Sequence, residues 1–548
     1  MLRALLVVSS FVAAASAQTF FPPPPAPVGN APTPEKVLLG MALFFEEQLS
    51  STSAVACATC HDFAAGGVDA RTASTVNPGP DGLFGTADDQ RGSFGTPRMG
   101  ANGAMVADSV RGLAPRATTR RSLTVFNTGY HPRLGYDGSK LTLEAAVGAP
   151  ILHEREMAHT GRTWADVVLQ VQAARPLLLA TQLPPRLAAF VGNRSYPQLF
   201  AAAFGAGAVV SQDTITKALA SYLRTLNTDQ TKWDRHLNGA YQLTEEEALG
   251  VTLFNSPANG ATSCRTCHSD FEPRVLQEGP VIGQMTMVTQ GYYGSPVPTR
   301  LLFHNVGVRP VSEDPGVQLV TGFPSDAGRF RVASLRNVEL SAPYFHNGGA
   351  ATLRDVIDFY DRGGDFHVNQ APSLTPRNYS ITQKDALVAA LALLTDPRVG
   401  SGQVPFDRPV LGSEYLRLPT PIGLGAPTTA GRLVAAAPFA ARVGESLFRV
   451  TLTGATPGAP LLLLWDNLAV SVTGPFGLEL AGSPAAVAFA AGVAQSGPGV
   501  TRGFKVQPVP IPAEPALAGQ SLLAQWLSVE PALQWPLATS NALHVPIW

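Results

Sequence analysis

Two short stretches hold all of the chain's cysteine chemistry. In ACATCHDF, residues 56–63, Cys57 and Cys60 lie three positions apart and His61 follows at once. In SCRTCHSD, residues 263–270, Cys264, Cys267 and His268 repeat the arrangement, and these two stretches use all four cysteines of the chain. Three chemistries compete for such a pattern. A disulfide would explain the even count in an oxidising compartment but gives the histidines no role. A structural zinc site could draw on the same residues, yet six candidate ligands exceed the usual set of about four. Covalent haem attachment uses every one of them: two thiols add to the vinyl groups of a haem and the adjacent imidazole becomes an axial ligand of its iron. The spacing therefore points to two covalently bound haem c groups, with His61 and His268 as iron ligands.

Each attachment stretch needs an element that delivers it. TPEKVLLGMALFF, from Thr33, offers a cap, a proline in the first turn and apolar residues at helical spacing. TEEEALGVTLFN, from Thr244, repeats the design ahead of the second pentad, so an "LG…LF" helix enters each haem unit as a weak internal repeat. Further helices are predicted over TLEAAVGAPIL, WADVVLQVQAARPLLLATQL, SQDTITKALASYLRTL and TQKDALVAALALLTD, the last spanning Thr382 to Asp396. Residues from about 69 to 112 read as a long loop, in which Asp81, Asp88 and Asp89 form either a solvated acidic turn or a calcium turn without EF-hand spacing. VGSGQVPFDRPVLG reads as a linker. After about residue 425, short apolar runs such as LFRVTLTG and PLLLLWDNLAV alternate with turn residues, the pattern of a small all-β, sandwich-like module.

The chain has 548 residues, enough for several domains. With 39 basic and 40 acidic side chains, it offers no sustained charge for nucleic acid or an anionic membrane. Arg3, the apolar run ALLVVSSFVAAA and Ala15-Ser16-Ala17 read as an export signal, and no later stretch reads as a membrane span. The expected organisation is a signal peptide (1–17), a Pro-rich lead (18–32), two mainly α, cytochrome c-like haem domains (33–225 and 226–398), a linker (399–424) and an accessory β domain (425–548). The expected location is periplasmic or exported.

Residues 33 to about 397 resemble the bacterial dihaem cytochrome c peroxidase and MauG superfamily. The resemblance is carried in order by EKVLLGMALFFEEQLSSTSAVACATCHDF, SLTVFNTGYHPRLGYDGSKLTLEAAVGAPILHEREM, LFNSPANGATSCRTCH and FRVASLRNVELSAPYFHNGGAATLRDVIDFY. It implies that the first haem reacts with peroxide and the second stores or relays an electron. Glu156 matches the family's distal glutamate, a base that takes a proton from peroxide and returns it to the departing oxygen. Read without the resemblance, Glu156 is a surface acid beside Arg155. Pro150 matches a pocket wall, and Ala146 stands where a pocket Gln is frequent. Tyr360 takes the place of an axial Met on the second haem, the MauG-like pattern, and a phenolate there lowers the haem potential. Tyr136, in YDG, replaces the Trp relay between the haems.

The resemblance also implies an inter-haem calcium, with carbonyl ligands at Ser341 and Pro343, but Arg121 replaces the usual Asn and a guanidinium cannot bind calcium. His346 reads as a hydrogen-bonding residue near the second haem. His131, His153 and His159 have no metal-ligand spacing, although His153 and His159 flank Glu156. Three functions follow. The first is a peroxidase that draws electrons from a small donor protein, a cytochrome c or a cupredoxin. The second is a MauG-like oxidase that uses peroxide on a protein or organic substrate. The third is a dihaem electron-transfer or redox-sensing protein. A homodimer is compatible with each.

Overall fold

The computed structural model describes residues 23–24, 26–53, 55–73, 91–96, 107–108, 112–113, 117–131, 133–258, 262–268 and 303–412, then mainly strand segments between 420 and 546. The signal segment and the turn of Asp81, Asp88 and Asp89 lie outside the described residues, as does most of the loop around them.

Up to residue 401 the fold is mainly helical. Its principal helices are α1 (Pro34–Phe44), α2 (Cys57–Cys60), α3 (Leu143–Leu152), α4 (Trp164–Ala173), α5 (Pro185–Val191), α6 (Tyr196–Phe204), α7 (Gln212–Leu223), α8 (Lys232–Leu237), α9 (Glu245–Asn255), α10 (Leu353–Asp361) and α11 (Ile381–Ala392). Their starts follow from local chemistry. The Thr33 hydroxyl accepts from Lys36 N at 3.3 Å, and Pro34 supplies a preset first turn. At α9, Thr244 Oγ1 accepts from Glu247 N while the Glu247 carboxylate accepts from Thr244 N, and three glutamates occupy the first turn where the helix dipole favours them. α11 begins at a Ser380 and Gln383 capping box and ends at Ala392, four residues short of the expected Asp396. Asp396 instead caps the next helical turn and pairs with Arg398 at 2.6 Å.

The "LG…LF" repeat has a packing cause. A Cβ on Gly40 would lie 2.0 Å from Ala218 O, so α1 and α7 approach backbone to backbone at that point. A Cβ on Gly250 would lie 1.9 Å from Ala386 O, the same contact between α9 and α11. Around these crossings lie two cores. One contains Leu39, Leu43, Phe44, Leu219 and Tyr222; the other contains Phe254, Leu353, Ile357, Leu387 and Leu391.

Residues 399–412 look like a linker by composition, yet they pack back onto the first core. Phe406 is 1% exposed, with its ring centroid 5.2 Å from that of Phe126 and 6.2 Å from that of Phe63. Arg186 pairs with Asp407 at 2.5 Å, and Thr181 and Val410 exchange backbone hydrogen bonds. One buried aromatic side chain outweighs the turn-rich composition around it.

Farther on, the described residues form antiparallel strands. Val487–Val493, Pro460–Asp466, Ser521–Val529, Ala542–Pro546 and Thr420–Ile422 lie side by side in that order, and Leu537–Thr539 also pairs with Ser521–Val529. A second sheet orders Gly503–Pro508, Arg449–Ala455 and Val434–Ala436. Burial alternates over 460–463 as a one-sided strand requires, with Leu461 and Leu463 buried and Pro460 exposed.

Gly40→Ala is expected to destabilise the protein by roughly 1–3 kcal/mol, the usual range for overpacking, read as a lowered thermal midpoint with both haems still attached. An unchanged midpoint would show that α1 and α7 separate without cost.

Candidate dihaem site

The first attachment turn is α2 itself, which presents Cys57 and Cys60 on one short helical turn and places His61 at its end. Burial pushes both thiols up to about 12. The Cys60 sulfur accepts from Arg71 Nη2 at 3.4 Å, and Arg71 is held by Asp69 at 2.7 Å. His61 Nδ1 donates to Gly67 O at 3.1 Å, which makes Nε2 the nitrogen with the lone pair. Burial also lowers the His61 pKa, so the ring is neutral, as a metal ligand must be.

The second turn repeats the device. Cys264 and Cys267 flank a 3-10 turn, and His268 Nδ1 donates to Ala333 O at 3.0 Å. No disulfide joins the four cysteines. Among the described residues no three His, Cys, Asp or Glu side chains converge as a metal site. The donor set thus fits two thioether-bound haems with imidazole ligands, one at each turn.

Glu156 is positioned by the end of α3. Pro150 sits in the last turn and, having no N–H, cannot bond to the carbonyl four residues back at Ala146. The chain then folds over itself: His153 N and Met157 N both donate to Pro150 O, and Glu156 N donates to His153 O at 2.9 Å. From the other side Thr96 N donates to Glu156 O at 2.7 Å. That approach requires Gly95, where a Cβ would lie 2.3 Å from the carbonyl oxygens of both Arg155 and Glu156.

After burial, the Glu156 charge is among the causes that raise Cys57 and Cys60, so the carboxyl lies near the first attachment turn. Burial raises Glu156 itself to about 7, opposed by Lys140. The side chain nevertheless exposes 30% of its surface, which leaves the carboxyl reachable by a small molecule. His153 Nδ1 lies 3.6 Å from Glu156 Oε1, beyond hydrogen-bond range, and His159 Nδ1 is engaged by Thr160 O at 2.9 Å.

Tyr360 lies near the end of α10, whose buried residues Leu353, Ile357 and Phe359 fix the helix against the second core. Burial is the main cause that raises the Tyr360 pKa, and the second and third causes are Cys267 and Cys264, which places the phenol beside the second attachment turn. Arg377 Nη1 donates to Tyr360 O and Nη2 to Thr262 O, both at 3.0 Å, joining the end of α10 to the chain that leads into Cys264.

Tyr136 lies where the two units meet. Its turn is closed by hydrogen bonds between Leu134 and Lys140, and at Gly138 a Cβ would meet the Phe303 ring at 2.4 Å. Arg331 N donates to Tyr136 O at 2.8 Å. The Tyr136 ring is edge-on to those of Phe330 and His346, each 6.4 Å away, and the latter two rings stack at 4.0 Å. Burial raises the Tyr136 pKa while Arg121, Arg331 and Arg120 oppose it, and burial lowers His346 to about 4. Burial likewise lowers His131, with Arg331 adding to the effect. Arg120 joins the units by pairing with Asp314 at 2.7 Å and with Asp137 at 3.3 Å. Ser341 O accepts from Arg121 Nη2 at 2.6 Å, and Pro343 follows a cis Ala342–Pro343 bond.

Gly95, Arg71, Arg377 and the carbonyls of Gly67 and Ala333 escape a reading of the sequence. Only the CxxCH motif hints at the last two, because a ligating imidazole needs a partner for its other nitrogen.

Two attachment turns carried on paired helix crossings define a dihaem c-type oxidoreductase. Residues 34–242 match the family described as di-haem cytochrome c peroxidase. The chain is 29% identical over 414 residues to cytochrome-c peroxidase IdrP1 of Pseudomonas sp. (strain SCT), covering 72% of this chain and 89% of that one. It is 26% identical over 372 residues to methylamine utilization protein MauG of Methylorubrum extorquens, covering 67% and 80%. It is 28% identical to cytochrome c peroxidase Ccp of Escherichia coli (strain K12), covering 59% of this chain and about half, 52%, of that one. Among solved structures, a MauG-like protein associated with microbial copper homeostasis aligns with a TM-score of 0.52 at 25% identity, covering 72% of this chain and 98% of the other. The protein is therefore an oxidoreductase of the peroxidase type.

With Glu156 raised to about 7, its carboxyl is expected to carry a proton at pH 6 and to have lost it by pH 8. Difference infrared spectroscopy of wild type against Glu156→Gln reads that proton directly; a carboxyl titrating in the ordinary range near 4.5 would contradict the enclosure described.

Proposed function

We propose that the protein reduces hydrogen peroxide to water at the first attachment turn, with electrons from a small redox protein arriving through the second. The observation that carries this reading is Glu156, near the Cys57 and Cys60 turn with its carboxyl raised to about 7. The haem held by Cys57, Cys60 and His61 supplies the iron that binds peroxide and exchanges electrons with it. Glu156, deprotonated, takes the proton from the peroxide oxygen and returns it to the oxygen that leaves, so that the leaving group departs as water. Two further protons and two electrons complete the reduction to two molecules of water. Pro150 sets the turn that presents the carboxyl.

At the second turn, Cys264, Cys267, His268 and Tyr360 would hold the second haem, and a phenolate from Tyr360, as an anionic oxygen donor, would favour oxidised iron and a low potential. Tyr136 bridges the two sites. Its surrounding guanidiniums disfavour a positively charged, oxidised ring, so it serves as a medium between the haems more than as a stopping point for the electron. Arg121, hydrogen-bonded to Ser341 O, supplies a cation where calcium would otherwise sit with the Ser341 and Pro343 carbonyls. The strands after residue 420 form an accessory β module, and the protein is exported.

The second reading, a MauG-like oxidase of a protein or organic substrate, is favoured by Tyr360 beside Cys264 and Cys267. It keeps the role of Glu156 and changes the source of electrons.

In Glu156→Gln, peroxide turnover is expected to fall by roughly 10²- to 10⁴-fold, the usual contribution of a general base, with haem content unchanged. Wild-type kcat/KM is expected to rise with pH through about 7, because the carboxylate is the working form, and the variant to lose that limb. The assay supplies a reduced cytochrome c or cupredoxin as donor; peroxide consumption without donor oxidation would select the oxidase reading. Unchanged turnover in the variant would contradict both.

A further inference from the structure

We propose that Arg162 is a positioning residue that locks the Glu156 turn onto the segment leading into the first attachment turn. The proposal rests on the reading of Glu156 as the proton-transfer group. Arg162 is 6% exposed, and its four hydrogen-bond acceptors are carbonyls and an amide. Its Nη1 donates to Ile151 O at 3.4 Å and Met157 O at 3.2 Å; its Nη2 donates to Leu49 O at 2.9 Å and Gln170 Oε1 at 2.5 Å. Burial lowers the guanidinium to about 10, and the one acid that opposes this is Asp166. A buried cation that meets carbonyls and an amide instead of a carboxylate is costly for stability alone. Its placement is accounted for by what those acceptors belong to.

Ile151 O lies at the end of α3, where a cation is favoured by the helix dipole. Met157 directly follows Glu156, and Leu49 belongs to the loop between α1 and Cys57. Three further hydrogen bonds tie the same loop: Gln170 Nε2 donates to Gln48 O at 2.5 Å and Ser50 O at 2.9 Å, and Ser51 N donates to Met157 O at 2.9 Å. One planar fork therefore fixes α3, the Glu156 turn and the approach to the attachment turn relative to one another. Lysine, a single point donor, cannot make that span. Proton transfer is sensitive to this registry, since a misplacement of about 1 Å can cost on the order of 100-fold in rate.

The test uses the dihaem protein with Arg162→Gln and Arg162→Lys, measuring kcat, KM for peroxide, the pH midpoint of kcat/KM, haem content and thermal midpoint. In both variants kcat is expected to fall by about tenfold or more with KM for peroxide little changed. The pH midpoint is expected to move down from about 7 as Glu156 gains water. Where Arg162→Gln fails to fold, Arg162→Lys carries the test. An unmoved pH midpoint and unchanged kcat in the folded variant would overturn the proposal, as would a rate loss that only tracks lost stability with the midpoint unmoved. Glu156→Gln, run alongside, separates the two claims: if it too leaves turnover intact, the role of Glu156 has failed; if it alone abolishes turnover, the role of Arg162 has.

Discussion

His61 gives its Nδ1 proton to Gly67 O, and His268 gives its own to Ala333 O. In each ring that bond decides which nitrogen keeps a lone pair and how the ring is turned about the chain. Attachment through two thiols on the preceding turn would then leave a haem little freedom, because consecutive residues would hold it. Everything else in the two sites is placed with respect to those turns. Glu156 lies near the first and Tyr360 near the second, and Tyr136 lies at the junction between units.

The fold meets this demand twice with the same solution. A glycine at the crossing, Gly40 or Gly250, lets the helix ahead of the pentad touch its partner helix backbone to backbone, and that close crossing anchors the chain before the cysteines. The units then diverge. Around the first turn, glycine at position 95 and the tied loop at 48–51 bring an acid to the site. Around the second, Arg377 ties the end of the Tyr360 helix to the chain entering Cys264. On the proposed reading a carboxylate would serve proton transfer and a phenolate would hold iron oxidised, so one scaffold would support two different tasks.

Much of this could be read from residue order, because the signals are local. Helix starts at Thr33, Ser211 and Thr244 are written in capping residues next to apolar periodicity, and the CxxCH turns carry their own chemistry. Other features depend on residues far apart in the chain. Phe406 looks like part of a linker until it is seen packed between Phe63 and Phe126. Arg162 reads as an ordinary charged residue, and its four acceptors come from three separate segments. Glu156 is the instructive case: its surroundings, supplied by the chain at 91–96 and by the turn after Pro150, decide whether it is a surface acid or a base, and sequence spacing alone does not encode them.

The most direct test of the account is rapid-mixing absorption of the dihaem protein with one equivalent of hydrogen peroxide across pH 5 to 9, in the fully oxidised and in the one-electron-reduced protein. The account expects a fast change in the haem spectrum in at least one of these states. Its rate should rise as pH passes about 7, where Glu156 loses its proton. A protein that leaves peroxide untouched in both states at every pH, or reacts at a rate indifferent to pH and to the loss of Glu156, would contradict it.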